Sequence, residues 1–354
     1  MLRSVQVIAS RTLGGAEGFF KRLCVGLMEG GCEVHALLRD GGALLVDLPP
    51  DIARSALPLR TVWDPLSRLE VHRHLRRLRP DLVQTWMSRA TRLTRAPRGA
   101  VHVARVGGYY APAHFAHADA VVVNSRGLAD HLLAAGSPAR RVHLIGNFVD
   151  TPAPPLPRLL AALRATVPLP ADAWLLLAVG RCVPVKGWDV LLQAFARLPR
   201  SIAGRPVGLL LLGDGPLRAS LQDQARQLGV AAQVHFAGWQ ADPAPFYGLA
   251  DLVVFPSRAP EALGNVILEA WAHGRPVLSS ACHGAREITR CGVDAVLVPC
   301  EDTAALTAAI ATVLPDDARR ANLAAAGQVR IGRDFSREAV VGAYLDLYRH
   351  LLGH

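Results

Sequence analysis

Glu261 and Glu269 stand with seven residues between them in the stretch PEALGNVILEAWAHGRPV, and Arg181 and Lys186 share the stretch AVGRCVPVKGWDVLLQAF. An ionised carboxylate only accepts hydrogen bonds, which suits the hydroxyls of a ribose or a hexose. A guanidinium fork beside a compact ammonium can clamp a diphosphate. Each pair also has a plainer reading: carboxylates are mildly favoured near a helix N-terminus, and loop cations are often only solvated. Lys186 draws notice because the chain has 39 basic residues and only two, Lys21 and Lys186, are lysine. Gly264 and Asn265 stand where the helix after a strand begins, and free N–H groups there bind phosphate. Gly264 has no side chain to block the approach. Gly14 and Gly15, in SRTLGGAEGFFKRL after the first strand, permit a similar approach. Neither this stretch nor LGDGPL is a GxGxxG motif, which counts against a dinucleotide dehydrogenase.

These residues need a scaffold, and the chain supplies an alternating one. Strands are predicted at SVQVIA, EVHALL, DLVQTW, VHVARV, AVVVNS and RVHLIG, then at WLLLAVG, PVGLLLLG, AQVHFAG, LVVFPS, RPVLSS and AVLVP. Helices fall between them, for instance over 16–29 and 66–78. Such alternation predicts parallel sheets covered on both faces. The α/β fold expected is two Rossmann-like, doubly wound domains facing a cleft, over 1–150 and 171–335. A proline-rich linker over 151–170 would join them, and a helix over 336–354 would close the chain. In such sheets ligands sit at the carboxyl ends of the strands.

The order of GGAE, GGCEVHAL, VGRCVPVKGWDVLLQAF, LLGDGP and PEALGNVILEAWAHGRPV resembles the retaining GT-B glycosyltransferases of glycosyltransferase family four. The likeness runs over nearly the whole chain, and the Glu-x7-Glu pair is the family's mark. It implies a nucleotide-sugar donor, UDP- before GDP-, held mainly by the C-terminal domain, and an acceptor held mainly by the N-terminal one. It implies that Arg181 and Lys186 bind the donor pyrophosphate, Glu269 the ribose and Glu261 the transferred sugar. Leu263, Gly264 and Asn265 complete the donor set, and Gly14 and Gly15 line the cleft near the donor phosphate. It implies no metal and no other cofactor, the nucleotide sugar being a substrate. Two departures fall in the N-terminal half. VQTWMSRATRL carries Trp86 and no histidine, and VARVGGYY has Arg105 where relatives often place a histidine-glycine pair. Trp86 and Arg105 are assigned to acceptor contact on these grounds. The usual EGF after the first glutamate is EAL here.

The net charge is +10, which predicts an anionic partner. Nucleic acid is not expected, because no recognition motif is present and aromatics are only 6%. In SRLEVHRHLRRLRP, Val71, Leu75 and Leu78 form one helical stripe and Arg68, Arg73, Arg76 and Arg77 lie elsewhere. Two readings stand: a solvated surface helix, or docking to an anionic leaflet. The six cysteines show no CxxC pair, and no run approaches a membrane span, so a cytoplasmic enzyme is expected, peripheral on the inner membrane face. Its expected acceptor is a cell-envelope saccharide or lipid-linked glycan such as lipopolysaccharide. A nucleotide-sugar epimerase of the same fold, or a catalytically silent partner subunit, remain the alternatives.

Overall fold

A computed structural model describes residues 1–153 and 156–353. The chain forms two compact units, Met1–Phe148 with Phe335–His354, and Val149–Asp334. The first contains β1 (Arg3–Ile8), β2 (Glu33–Arg39), β3 (Ala53–Leu57), β4 (Leu82–Trp86), β5 (Val101–Val106), β6 (Ala120–Val123) and β7 (Val142–Leu144). Their order in the sheet is β3-β2-β1-β4-β5-β6-β7, all parallel. The second unit contains β8 (Trp174–Val179), β9 (Ser201–Ile202), β10 (Arg205–Leu212), β11 (Val234–Gly238), β12 (Leu252–Phe255), β13 (Val277–Ser280) and β14 (Val296–Val298). Their order is β11-β10-β8-β12-β13-β14, with the short β9 antiparallel on β10. Both are doubly wound sheets whose order reverses once, between β1 and β4 and between β8 and β12.

Alternation along β1 explains the layering of the first unit. Val5 and Val7 pack with Val71, Leu75, Ala90 and Leu93 on one face. Ile8 packs with Phe19, Phe20, Leu23 and Trp86 on the other. The helix Pro65–Leu78 supplies the first cover, started by Asp64, whose carboxylate accepts from the Leu66 N–H. Of the predicted stripe Val71, Leu75 and Leu78, the first two are buried and Leu78 is half-buried against the same core. The helix Gly15–Glu29 supplies the second.

The chain divides differently from the expected plan at two places. The terminal helix Arg337–Leu352 belongs to the first unit, because Val340, Val341, Tyr344, Leu347 and Tyr348 give it an apolar face. Gly26 lets it approach: a Cβ there would lie 2.5 Å from Val341 Cγ2. Of the proline-rich 151–170 stretch, Pro154 and Pro155 lie outside the described residues. Pro157–Thr166 is a helix of the second unit. Proline at its first position removes only an N–H that would have lacked a helical partner. The final residue of the expected 336–354 helix, His354, also lies outside the described residues.

Candidate functional site

In the second unit the carboxyl ends of β8 and β12 carry the charged residues singled out above. After β8 the chain turns through Gly180 and Arg181 into a single 3-10 turn, Pro184–Lys186, and then the helix Trp188–Ala196. After β12 it runs through Ser257, Arg258 and Glu261 to the helix Asn265–Ala272. Lys186 Nζ lies 2.6 Å from Glu261 Oε2, so an ion pair crosses the switch point of the sheet. The two side chains are only 19% and 16% exposed, and Ser257 Oγ donates to the same carboxylate oxygen at 3.4 Å. Lys186 Nζ also stands 5.4 Å from the centre of the Phe255 ring. Partial burial and these partners make the pair stronger than an exposed one.

Close backbone contact holds the two loops together. Gly187 has φ +63°, and a Cβ there would fall 2.1 Å from the Pro256 carbonyl oxygen. Any side chain would drive the Lys186 loop off the Glu261 loop. Arg258 fastens the same junction. It donates to both carboxylate oxygens of Asp189 at 3.0 and 2.7 Å, to Glu301 at 2.8 Å and to the Pro184 carbonyl. Its own N–H donates to the Val185 carbonyl at 2.8 Å. The bonds to Asp189, then those to Glu301, hold its pKa above the ordinary arginine value. Burial pushes the Asp189 carboxyl up, but its bonds to Arg258 outweigh this and hold it below the usual range.

Glu269 lies on the helix that Gly264 opens at φ +91°. Its Oε2 accepts from the Tyr247 hydroxyl at 2.8 Å. Burial, then the neighbouring Glu269, pushes the Tyr247 phenol well above its ordinary value, so it stays a donor. Leu263 is 4% exposed, and a Cβ at Gly284 would lie 2.5 Å from its backbone atoms. Leu263 is therefore packed into the structure, its side chain buried and its main chain against Gly284. Arg181 is exposed and makes no ion pair among the described residues. Trp239, 52% exposed, follows β11 at the same end of the sheet. Burial pushes the Cys182 and Cys282 thiols up to about 11, which leaves them unreactive at neutral pH.

In the first unit Gly14 and Gly15 follow β1, and Gly15 begins the next helix. The assignment of Trp86 and Arg105 to acceptor contact is corrected by their burial, at 1% and 3% exposure. The Trp86 indole packs against Phe19 and Phe20 and donates its N–H to Gln6 Oε1 at 2.9 Å. The Arg105 guanidinium lies 4.9 Å from the Phe19 ring centre and 5.4 Å from Trp86, and bonds to Asn147 and the Tyr344 hydroxyl. It is a core cation satisfied internally. What stands at the carboxyl end of β4 is Ser88, whose Oγ is 2.7 Å from His114 Nδ1. Met87, between Trp86 and Ser88, has φ +61°. Such strain in a non-glycine residue clusters at functional sites.

Sequence reasoning missed Tyr247, Ser257, Arg258 and His114. Tyr247 and Arg258 meet partners brought in by the fold, and no local pattern marks them, while Ser257 meets Glu261 four residues further on. The strain at Met87 that points to Ser88 and His114 is equally invisible in the letters.

The chain matches the Glycosyl transferases group 1 model over residues 161–330 and the Glycosyltransferase Family 4 model over residues 13–152. It is 37% identical to LpsE, a lipopolysaccharide core biosynthesis glycosyltransferase of Rhizobium meliloti, over 94% of this chain and 95% of that one. The chain belongs to glycosyltransferase family four. LpsD of the same organism, another lipopolysaccharide core biosynthesis glycosyltransferase, is 33% identical over 95% of both chains. Among solved structures, HepE of Anabaena in complex with UDP and glucose matches with a TM-score of 0.84 at 23% identity, covering 98% of this chain and 99% of that one. WaaG, a glycosyltransferase involved in lipopolysaccharide biosynthesis, matches at 0.76 and 19%, covering 98% and 99%. At that identity these two likenesses speak to the fold, which is GT-B. For this family-four member the two Rossmann-like sheets are thereby accounted for.

Proposed function

We propose that this glycosyltransferase moves a hexose-type sugar from a UDP-sugar to a lipid-linked saccharide of the cell envelope, in lipopolysaccharide assembly, with retention at the anomeric carbon and without a metal. The observation that carries the reading is the Lys186–Glu261 pair across the β8/β12 switch point, with Arg181 and the Gly264–Asn265 helix start on the same two loops. When the anomeric C–O bond breaks, positive charge grows on the sugar and negative charge on the leaving diphosphate. Lys186, Arg181 and the helix N–H groups offset the second. Glu261 faces the transferred sugar and Glu269 the ribose. The two lipopolysaccharide core relatives support the envelope acceptor, and the UDP-bound neighbour supports the donor. With cationic side chains to meet the phosphates, activity should survive excess EDTA.

At the acceptor side, Ser88 and His114 offer a hydroxyl and an imidazole to a neutral saccharide. An inner-leaflet location is supported by the basic outer face of Pro65–Leu78, and no helix among the described residues is long and apolar enough to cross a membrane. The test is incubation with UDP-, GDP- and ADP-hexoses, with and without a truncated lipopolysaccharide acceptor. Acceptor-stimulated release of one nucleoside diphosphate, and a product with the donor's anomeric configuration by NMR, is the expected result. Interconversion of sugar nucleotides without transfer would favour an epimerase. Release from no donor would make the chain a silent partner.

A further inference from the structure

Tyr247 stands apart from the groups that would touch a donor's reacting atoms. Its side chain is fully buried, yet its hydroxyl reaches Glu269 Oε2 at 2.8 Å. Its ring stacks on His273, with centres 4.7 Å apart and planes 18° from parallel. His273 Nδ1 in turn bonds to the Glu269 carbonyl oxygen at 2.8 Å. Tyrosine, histidine and glutamate thus brace one another, and the Glu269 side chain is held by one oxygen. A carboxylate has about four acceptor positions. With one of those on Oε2 taken by the phenol, the rest keep a fixed direction.

We propose that Tyr247 is a positioning residue that sets the orientation of Glu269, and that this makes the site discriminate a ribonucleotide from its 2′-deoxy analogue. The inference rests on Glu269 being the ribose group. The physical argument concerns what happens when a hydroxyl is missing. A carboxylate free to turn finds water or another rotamer, and the loss is small. A carboxylate pinned by a buried phenol cannot turn, so an absent hydroxyl leaves an acceptor unmatched. Hydrogen bonds to charged groups contribute enough that the full-length enzyme should prefer the ribonucleotide by about 10–150-fold.

The experiment is titration calorimetry of the full chain with UDP, GDP and ADP and with their 2′-deoxy counterparts. Tyr247→Phe keeps the buried ring and the stack on His273 and removes only the hydroxyl. The ribo-to-deoxy affinity ratio is expected to collapse to within about threefold in this variant. Glu269→Gln should reduce the ratio too, and adding Tyr247→Phe to it should change the ratio no further, because the tyrosine acts through the carboxylate. A variant that loses affinity for both nucleotides equally, at an unchanged ratio, would make Tyr247 a packing residue and overturn the proposal. So would a wild-type protein that binds a diphosphate without discriminating. If wild type binds none of the diphosphates, the donor reading fails first and the proposal falls with it.

Discussion

At the carboxyl ends of β8 and β12 an ion pair closes across the switch point, whereas beyond the end of β4, in the first sheet, the side chains that meet are a hydroxyl and an imidazole, Ser88 and His114. The strand orders reverse at equivalent places, so the backbone offers each unit a similar crevice. The chemistry differs in how charge is used: the second unit pairs Lys186 with Glu261 at its crevice, whereas the first gathers Arg11, Arg39, Arg60 and Arg89 at the carboxyl ends of its strands and buries Arg105 in its core against Phe19 and Trp86. A fold of this kind fixes where a ligand sits and leaves its class to the loops.

The sharpest way to break the comparison is to remove one charge from the second crevice. Lys186→Ala should lower kcat by about 10²–10³, since the charge it meets grows only in the transition state. Ser88→Ala and His114→Gln should instead raise the acceptor KM and leave donor hydrolysis in water unchanged. Steady-state kinetics, with circular dichroism on each variant, decide it. Wild-type kcat in Lys186→Ala, or a donor defect in the Ser88 and His114 variants, would erase the division of labour.

Acid should separate the units next. Burial lowers the His102 pKa to about 3, with His117 and Arg95 adding to the effect. His35, His117 and His143 of the first unit are lowered too, mainly by burial, against His235 and His273 in the second. An unfolded histidine takes up its proton near pH 6.5 and the folded His102 does not until about pH 3. Its stabilisation is therefore complete above pH 6.5 and is lost as pH falls towards 3, at about 1.4 kcal/mol per unit. Between pH 6.5 and 5 that is about 2 kcal/mol. Urea unfolding at several pH values should show the slope in wild type and a shallower one in His102→Gln. Equal slopes would remove His102 from the account.

A smaller effect is expected from Glu269→Gln. The ribose does not change during the reaction, so its loss removes uniform binding and should raise the donor KM about tenfold with kcat nearly kept. An unchanged donor KM would leave this carboxylate only a structural partner of Tyr247.

Much of this contrast was legible in the letters, and unevenly so. Apolar runs such as WLLLAV are buried on both faces, and it is their strand length and the glycine that follows, rather than any period, that mark β8. β3 escaped because ARSAL is short, half-exposed and only weakly apolar. Lys186, Glu261, Gly264 and Glu269 could be singled out because charges and a glycine stand after predicted strands and because Glu261 and Glu269 match a family motif. Tyr247 lies 22 residues from Glu269, and Arg258 lies 69 from Asp189, so neither pairing has a local signature. Trp86 and Arg105 misled for the opposite reason. They sit at positions where a ligand contact is plausible by sequence, but β4 and β5 are central strands whose ends turn inward on Phe19.

The gentlest test concerns the outer surface of the first unit. Along Pro65–Leu78, Leu66, Leu69, Arg73 and Arg76 fall at helical spacing on the side away from the buried Val71 and Leu75. Leu66 and Leu69 are 58% and 46% exposed, and Trp63 just before the helix is 78% exposed, with Arg92 5.5 Å from its ring centre. Arginines with an exposed tryptophan and leucines match an anionic lipid surface, where each cation contributes about 1 kcal/mol. Binding to vesicles containing phosphatidylglycerol should weaken as salt rises, since exposed charges are screened within ~8 Å at 0.15 M. Each of Arg73→Gln and Arg76→Gln should cost about fivefold in affinity, and Trp63 fluorescence should shift to the blue on binding. Lys186→Ala, in the other unit, should bind vesicles as wild type does. Equal sedimentation with neutral and anionic vesicles would leave Pro65–Leu78 a solvated helix.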